Sequence, residues 1–208
     1  MPLDIAQAPP ASISSLNAVL PRVVGNRGFA LQAPLLAQGA NRALQDKGTS
    51  DVPKPTLSSP VYVLGLGAVV AGPDFSAAKL GLWTHFFPSA REGDSQVVAA
   101  DVNADTLRFA SLKEGPQVLA FYQQVKMLQQ APDIAPRSFE LAQLRIPALH
   151  VKAVWLKDKA GTNDVVIPIA PTDPALTPER RYSVPEFLAA LRPAAESAMA
   201  QTDPLKGG

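Results

Sequence analysis

The 208-residue chain contains no cysteine. Disulfide bonds, thiolate nucleophiles and zinc or iron–sulfur centres that need sulfur ligands are therefore excluded. The fold has to be held together by packing and hydrogen bonds.

Charge is also scarce. Charged residues make up 18% of the chain, and 19 basic residues against 18 acidic ones give a net charge of +1. Because no block of lysine and arginine is present, electrostatic attraction to a phosphate backbone is weak, and we predict no nucleic-acid partner. The apolar fraction of 47% suffices for a core, while a sparsely charged exterior favours protein partners.

Long apolar runs are absent as well. No stretch approaches the roughly 18 apolar residues of a membrane-spanning helix. The first residues, Met1 to Asp4, lack the basic start and apolar run of a signal peptide. We therefore predict no membrane span and a cytoplasmic location, while export by a route that reads no such signal stays open.

Proline, in contrast, is abundant, with 21 residues in the chain. Its density in residues 1–59 disfavours long helices and central strands. We predict that this segment is a proline-rich N-terminal arm with short helices near 12–20 and 33–44. The apolar side chains between its prolines favour a docked arm that wraps a neighbouring subunit over a flexible extension. Residues 60–202 are predicted to form a single domain, and residues 203–208 a flexible tail.

Apolar periodicity predicts the elements of this domain. Runs rich in β-branched residues and bounded by proline or glycine are typical of strands, and a three-to-four-residue repeat is typical of helices. The predicted strands are 61–70, 96–100, 138–146, 148–157 and 164–170. The predicted helices are 104–112, 116–130 and 184–200.

The connection at 158–164 is polar, turn-rich and too short to hold a crossover helix. The strands on either side of it should therefore be antiparallel. We predict an α+β fold in which a small, mostly antiparallel sheet is covered by two or three helices.

The last helix has clear boundary signals. Ser183 and Glu186 fit a capping box, and Tyr182 is placed to pack on Phe187 as a hydrophobic staple. Pro193 removes a backbone donor, which predicts a kink or a split after Leu191.

Residues 65–70, Gly-Leu-Gly-Ala-Val-Val, follow a predicted strand and resemble the glycine turn of dinucleotide-binding folds. Val70 stands where a third glycine or alanine would pack helix on sheet, and Gly72 with Pro73 would break the helix that binds pyrophosphate. We favour glycines inside a strand instead.

The spacing of Asp101, Asn103 and Asp105 resembles the start of a calcium loop. Thr106 replaces the turn glycine, and Leu112 stands where the bidentate glutamate is needed. A strand end, a turn and a helix cap explain these residues better, so no metal site is predicted and the three oxygen-bearing residues stay as candidate ligands.

His85 and His150 each lie near a tryptophan in the sequence. With no Gly-x-Ser-x-Gly elbow and no His-Glu-x-x-His helix, neither has a partner encoded nearby, and hydrogen-bonded structural histidines are the favoured interpretation. The alternative is a pocket that combines aromatic bulk with polar tips. Its predicted lining is Trp83, His85, Phe86, His150 and Trp155.

The first functional hypothesis is a non-enzymatic interaction or assembly protein that binds another protein or a second copy of itself. It rests on the apolar arm, a predicted exposed edge strand at 165–169 and the low charge density. The alternative is a small-molecule binding protein or hydrolytic enzyme that uses the aromatic pocket. Neither catalytic residues nor a cofactor are predicted, which leaves enzymatic activity open and the non-enzymatic hypothesis favoured.

Overall fold

The computed structural model describes residues 3–27, 54–88, 97–134, 138–161 and 163–202. The strands are β1 (Asp4–Ile5), β2 (Leu57–Val63), β3 (Lys79–Pro88), β4 (Val97–Asn103), β5 (Phe109–Lys113), β6 (Phe139–Ile146), β7 (Val151–Asp158), β8 (Val165–Pro168) and β9 (Tyr182–Ser183). The α-helices are α1 (Pro10–Arg27), α2 (Leu66–Ala71), α3 (Pro116–Gln130) and α4 (Val184–Thr202). None of the helices in these described ranges is long and apolar enough to cross a membrane.

The strands form one nine-stranded sheet in the order β5-β4-β3-β2-β6-β7-β8-β9, with β1 also paired to β6. The sheet is mixed, because β1 and β2 both run parallel to β6. The predicted small sheet under two or three helices is wrong, although the pairings β3–β4, β4–β5, β6–β7, β7–β8 and β8–β9 are antiparallel. The observed sheet is large, and the described chain has four α-helices.

The error arises from long-range pairing. The hairpin between β7 and β8 is antiparallel, as the short connection predicts. The parallel neighbours of β6, however, come from much earlier in the chain, with Asp4 opposite Glu140 and Val61 opposite Gln143. A local connection length carries no information about such partners.

Contacts divide the chain into two compact units. Unit 1 gathers Met1–Ala6, Pro60–Gly81 and Gln123–Gly208, and unit 2 gathers Gln7–Ser59 and Leu82–Tyr122. The division at residue 60 that the sequence suggests stays a prediction.

The core of unit 1 contains side chains of β6, β7, α2 and α4, among them Leu144, Trp155 and Phe187. Their burial is nearly complete, with Leu144 and Phe187 fully inaccessible to solvent. Burying such side chains stabilises the fold by about 1.5–3 kcal/mol each.

The start of α4 confirms the predicted capping box and staple. The Ser183 backbone N–H donates to Glu186 Oε2 at 3.0 Å, and the Glu186 N–H donates to Ser183 Oγ at 3.4 Å. The Tyr182 and Phe187 rings meet edge to face at 6.2 Å. Pro193 does not split the helix, because α4 continues through it, while the alternative of a kink after Leu191 stays a prediction. Pro193 and Ala189 lie on the exposed side of α4, where water can satisfy the carbonyl left without a donor.

The core of unit 2 is built by α1 and the strands β3 to β5. Leu16 and Leu20 of α1 pack against Phe87, Ala100 and Val102. The described part of the predicted arm thus packs on the chain's own sheet. The second predicted arm helix, at 33–44, and the tail at 203–208 lie outside the described residues.

The predicted strand at 61–70 is too long. It ends at Val63, and Leu66–Ala71 forms α2, so the interpretation of Gly65 and Gly67 as strand glycines is wrong. The Gly65 carbonyl accepts the N–H groups of Ala68 and Val69, which turns the chain from strand to helix.

The predicted helix at 104–112 is also wrong, because the chain turns and returns as β5. Asn103 Oδ1 accepts the N–H of Asp105 at 3.0 Å and that of Thr106 at 2.9 Å. The Asn103 N–H also donates to the Arg108 carbonyl at 2.9 Å. A side-chain oxygen that holds the following N–H groups in a turn competes directly with helix formation.

Candidate functional site

The five residues predicted to line a pocket belong to different units. Trp83, His85 and Phe86 lie on β3 in unit 2. His150 and Trp155 lie in unit 1, at the end of a 3₁₀ turn and on β7 respectively.

Within unit 2, the three β3 residues do not share one face. Successive side chains of a strand alternate between its faces, so Trp83 and His85 lie on one side and Phe86 on the other. The Phe86 ring stacks on Phe121 of α3, with centroids 5.3 Å apart. These residues contribute to packing on both faces of the sheet.

His85 is fully buried. Its Nδ1 lies 2.9 Å from Ser58 Oγ, while its Nε2 has no hydrogen-bond partner among the described residues. Burial lowers the pKa of His85 to about 4, against a smaller opposing effect of the Asp101 carboxylate. The imidazole is therefore neutral near pH 7, as expected of a structural histidine.

Trp155 is buried, and His150 is exposed. The Trp155 ring packs edge to face on Tyr62 at 5.2 Å and on Phe75 at 5.1 Å. Its Nε1–H donates to Asp164 Oδ2 at 2.7 Å. Trp155 thus lies in the aromatic core of unit 1, with its polar tip satisfied.

The residues that resemble a calcium loop are held by protein donors. Asp101 is fully buried, accepts a hydrogen bond from Thr84 Oγ1 at 2.7 Å and pairs with Lys113 Nζ. Asn103 Oδ1 organises the turn, and Asp105 is exposed. In the described part of the chain, no group of three or more His, Cys, Asp or Glu residues could hold a metal ion.

The first candidate interaction site is the outer edge of β5, residues Phe109–Lys113, called here the β5 edge. This strand ends the sheet, with β4 on one side. On the other side, the described residues supply neither a strand nor a backbone hydrogen bond. Unpaired N–H and C=O groups of an edge strand are a template for another strand.

The β5 edge carries half-exposed apolar side chains. Leu112 lies opposite Ala100 and Phe109 opposite Val102, and a bulge in β5 sets this register. Ala100 and Val102 share a face, so Phe109 and Leu112 share it too. Both pack against the cluster under α1, yet both stay partly accessible to solvent.

Opposite charges flank the β5 edge. Arg108 precedes the strand and Glu114 follows it, and both are exposed. Lys113 pairs with Asp101, so it is less available to a binding partner than Arg108 and Glu114 are. The edge thus has a basic end, an acidic end and apolar side chains between them.

The exposed edge predicted at 165–169 is wrong, because β8 is paired on both sides. Val165 lies opposite Ser183, and Val166 opposite Tyr182. The Glu179 N–H also donates to the Pro168 carbonyl at 2.9 Å.

Sequence reasoning missed the β5 edge because it assigned residues 104–112 to a helix. The available signal was the polar turn from Asn103 to Thr106 between two apolar runs, a pattern typical of a hairpin.

A second candidate site is an open cleft of about 560 Å³ in unit 1. Its volume lies within the range of small-molecule sites. None of the five residues of the predicted pocket lines it, although Trp155 contacts two lining residues, Phe75 and Asp164. The lining residues are Pro73, Asp74, Phe75, Asp133, Ile134, Gly161, Asn163, Asp164, Val165, Arg181, Tyr182, Ser183, Val184 and Pro185.

The charged groups of the cleft are mostly acidic. Arg181 pairs with Asp133. Asp164 accepts hydrogen bonds from Trp155 and from the Asp158 N–H at 2.8 Å. Hydrogen bonds from the Ser76 side chain and backbone lower the pKa of Asp74, which keeps it ionised near pH 7.

Comparison with known proteins gave no matching family model, no significant match among curated proteins and none among solved structures.

Proposed function

We propose that the chain is a non-enzymatic interaction protein that binds a protein partner by adding a strand to the β5 edge. The observation that carries this proposal is an edge of a large sheet that the described residues leave open, with half-exposed Phe109 and Leu112 beside it. In such pairing, main-chain hydrogen bonds supply affinity and alternate side chains supply specificity.

The packing beneath the edge supports this role. Asp101 bonds to Thr84 on β3 and pairs with Lys113 on β5, so the edge strand is tied to its neighbours. Leu16 of α1 packs in the same cluster as Phe109. A strand held in place before binding loses less conformational entropy when its partner arrives.

A displayed library of random decapeptides tests this proposal on the full chain. We expect the library to yield peptides that bind the unchanged protein. The same peptides should bind the Ala110→Lys variant at least tenfold more weakly, because a lysine on an edge disfavours strand pairing. Ala110 is exposed, so the substitution leaves the core intact.

Ala189→Lys is the matched control, since it makes the same change at an exposed alanine of α4 in unit 1. Enriched peptides that bind both variants equally, or no enrichment at all, would count against the β5 edge as a binding site.

The cleft of unit 1 favours a second candidate function, the binding of a small cationic molecule. Its volume of about 560 Å³ suits such a ligand, and Asp74 and Asp164 leave it negatively charged once Asp133 is paired with Arg181. The N-terminus of α4 does not favour an anion, because the Glu186 carboxylate already caps Ser183.

Titration calorimetry with spermidine and with citrate tests this second candidate. We expect heat with spermidine alone, weakened severalfold in Asp74→Asn. Asp173→Asn is the control, because Asp173 accepts an N–H two residues on, as Asp74 does, and lies outside the cleft. No heat at millimolar spermidine, or equal weakening by both variants, contradicts cation binding.

A further inference from the structure

The cleft of unit 1 already contains a cation of the chain itself, because Arg181 is the only basic side chain among the described residues that line it. Resting on the second candidate function, cation binding in this cleft, we propose that its ligand carries a planar cation, a guanidinium or amidinium, on an apolar body. That cation replaces Arg181 on the Asp133 carboxylate, so Arg181 competes with the ligand for this place.

Arg181 and Asp133 meet in the cleft from segments 48 residues apart in the chain. Arg181 precedes β9, and Asp133 follows α3. Arg181 Nη1 donates to Asp133 Oδ2, so this carboxylate is already placed to accept a guanidinium N–H. A planar guanidinium or amidinium offers parallel N–H groups that match both carboxylate oxygens, whereas an ammonium is a point charge.

The other two carboxylates among the described lining residues are held by N–H groups of the backbone and the core. Both oxygens of Asp164 accept N–H groups of β7 residues. Asp74 accepts the Ser76 N–H at 2.8 Å. They add negative charge to the cleft, and Asp133 is the carboxylate that Arg181 can leave by rotation of its own long side chain.

The Arg181–Asp133 pair is weak enough to be exchanged. The Arg181 side chain is 43% exposed and that of Asp133 58% exposed. Ion pairs this accessible contribute little to stability, because water solvates both charges when they separate. A ligand cation therefore takes the place of Arg181 at small cost.

The apolar part of the lining offers a surface to the body of such a ligand. Pro73, Val165 and Pro185 line the cleft and stay at least partly accessible to solvent. Proline has almost no side-chain freedom to lose when a ligand packs against it. Apolar ligand surface buried against these residues adds to the affinity that the cation supplies.

Titration calorimetry with benzamidine and benzylamine, at about 0.15 M salt, tests the class of ligand. Both probes carry a single positive charge on a benzene ring, and only benzamidine has the planar fork. We expect benzamidine to bind about fivefold more tightly than benzylamine, and Asp133→Asn to weaken benzamidine and remove this preference.

Arg181→Gln tests the competition. Without the Arg181 guanidinium, benzamidine should bind up to about fivefold more tightly, which is the most that an exposed ion pair withholds. Arg180→Gln is the matched control, since it removes the same charge one residue away, from the face of the Tyr182 ring. It should leave the affinity nearly unchanged, because Arg180 lies on Tyr182 instead of Asp133 and salt screens its charge at longer range.

Arg180, Arg181 and Asp133 are exposed, so the variants should fold, which circular dichroism and thermal unfolding would verify. Equal affinities for benzamidine and benzylamine overturn the inference, as does a gain in Arg181→Gln no larger than that in Arg180→Gln. Spermidine binding that depends on Asp74 would then still support a cation site. No heat with benzamidine, benzylamine or spermidine at millimolar concentration overturns the cation site and this inference together.

Discussion

At the scale of single residues, Asp101 and His85 are two buried polar side chains of unit 2 whose hydrogen-bonding groups are satisfied to different degrees. The Asp101 carboxylate bonds to Thr84 and pairs with Lys113. His85 has one bonded nitrogen and one without a partner among the described residues. An unpaired buried nitrogen costs free energy, and that cost rises when the ring takes up a proton.

His85 therefore makes the stability of the protein depend on pH. Its pKa is about 4 in the folded chain against 6.5 for the free side chain. As the pH falls from about 6.5 to about 4, the unfolded chain takes up a proton that the folded chain does not. The free energy of unfolding should then decrease by up to about 3 kcal/mol.

Urea unfolding between pH 4 and pH 7.5 checks this prediction. His85→Gln should show a smaller decrease than the unchanged chain over that range. His150→Asn, which alters the exposed histidine, is the control and should follow the unchanged chain. Parallel curves for His85→Gln and the unchanged chain would show that His85 is not responsible.

At the scale of elements, local sequence signals set the limits of some helices and strands, while tertiary pairing set the form of others. The limits of α3 at Pro116–Gln130 agree with the prediction, because the proline start and the apolar repeat are local. The segment at 104–112 has apolar residues at spacings that suit a short helix. Its true form, β5, depends on the turn at Asn103 and on pairing with β4.

Helix α1 shows how an apparently independent segment joins the sheet. Leu20 is fully buried in the cluster that includes Phe87 and Val102. We expect Leu20→Ala to lower the free energy of unfolding by about 2–5 kcal/mol, since it leaves a cavity in a packed core.

Chemical denaturation measures this change. Asn17→Ala is the control, because Asn17 is an exposed residue of the same helix, and its effect should stay within about 0.5 kcal/mol. A Leu20→Ala loss as small as that of the control would mean that α1 does not stabilise unit 2 in solution.

At the scale of the whole molecule, the first described residues of the chain pair with a strand far away in the sequence. β1 pairs with β6, and Leu3 beside it is 5% exposed. We expect Leu3→Ala to lower the free energy of unfolding by about 2–5 kcal/mol. Hydrogen exchange should report lost protection in Glu140 and Leu141, the partners of β1.

Asp4→Asn is the control for the Leu3→Ala prediction. It removes only the exposed ion pair of Asp4 with Lys159, which contributes about 0–1 kcal/mol. If Leu3→Ala leaves the hydrogen exchange of Glu140 and Leu141 unchanged, pairing with β1 does not protect the backbone of β6.

The local sequence determined where α3 and α4 begin, where the β7–β8 hairpin turns and which chemistries the lack of cysteine excludes. Each of these follows from residues close together in the chain, such as Ser183 with Glu186. Only the tertiary structure decided that β1 and β2 lie parallel to β6, that β8 is covered and that β5 is an edge to which the described part of the chain adds no further strand. The physical reason is that strand pairing satisfies backbone groups that every residue carries, so its partners depend on burial across the whole fold rather than on any local pattern.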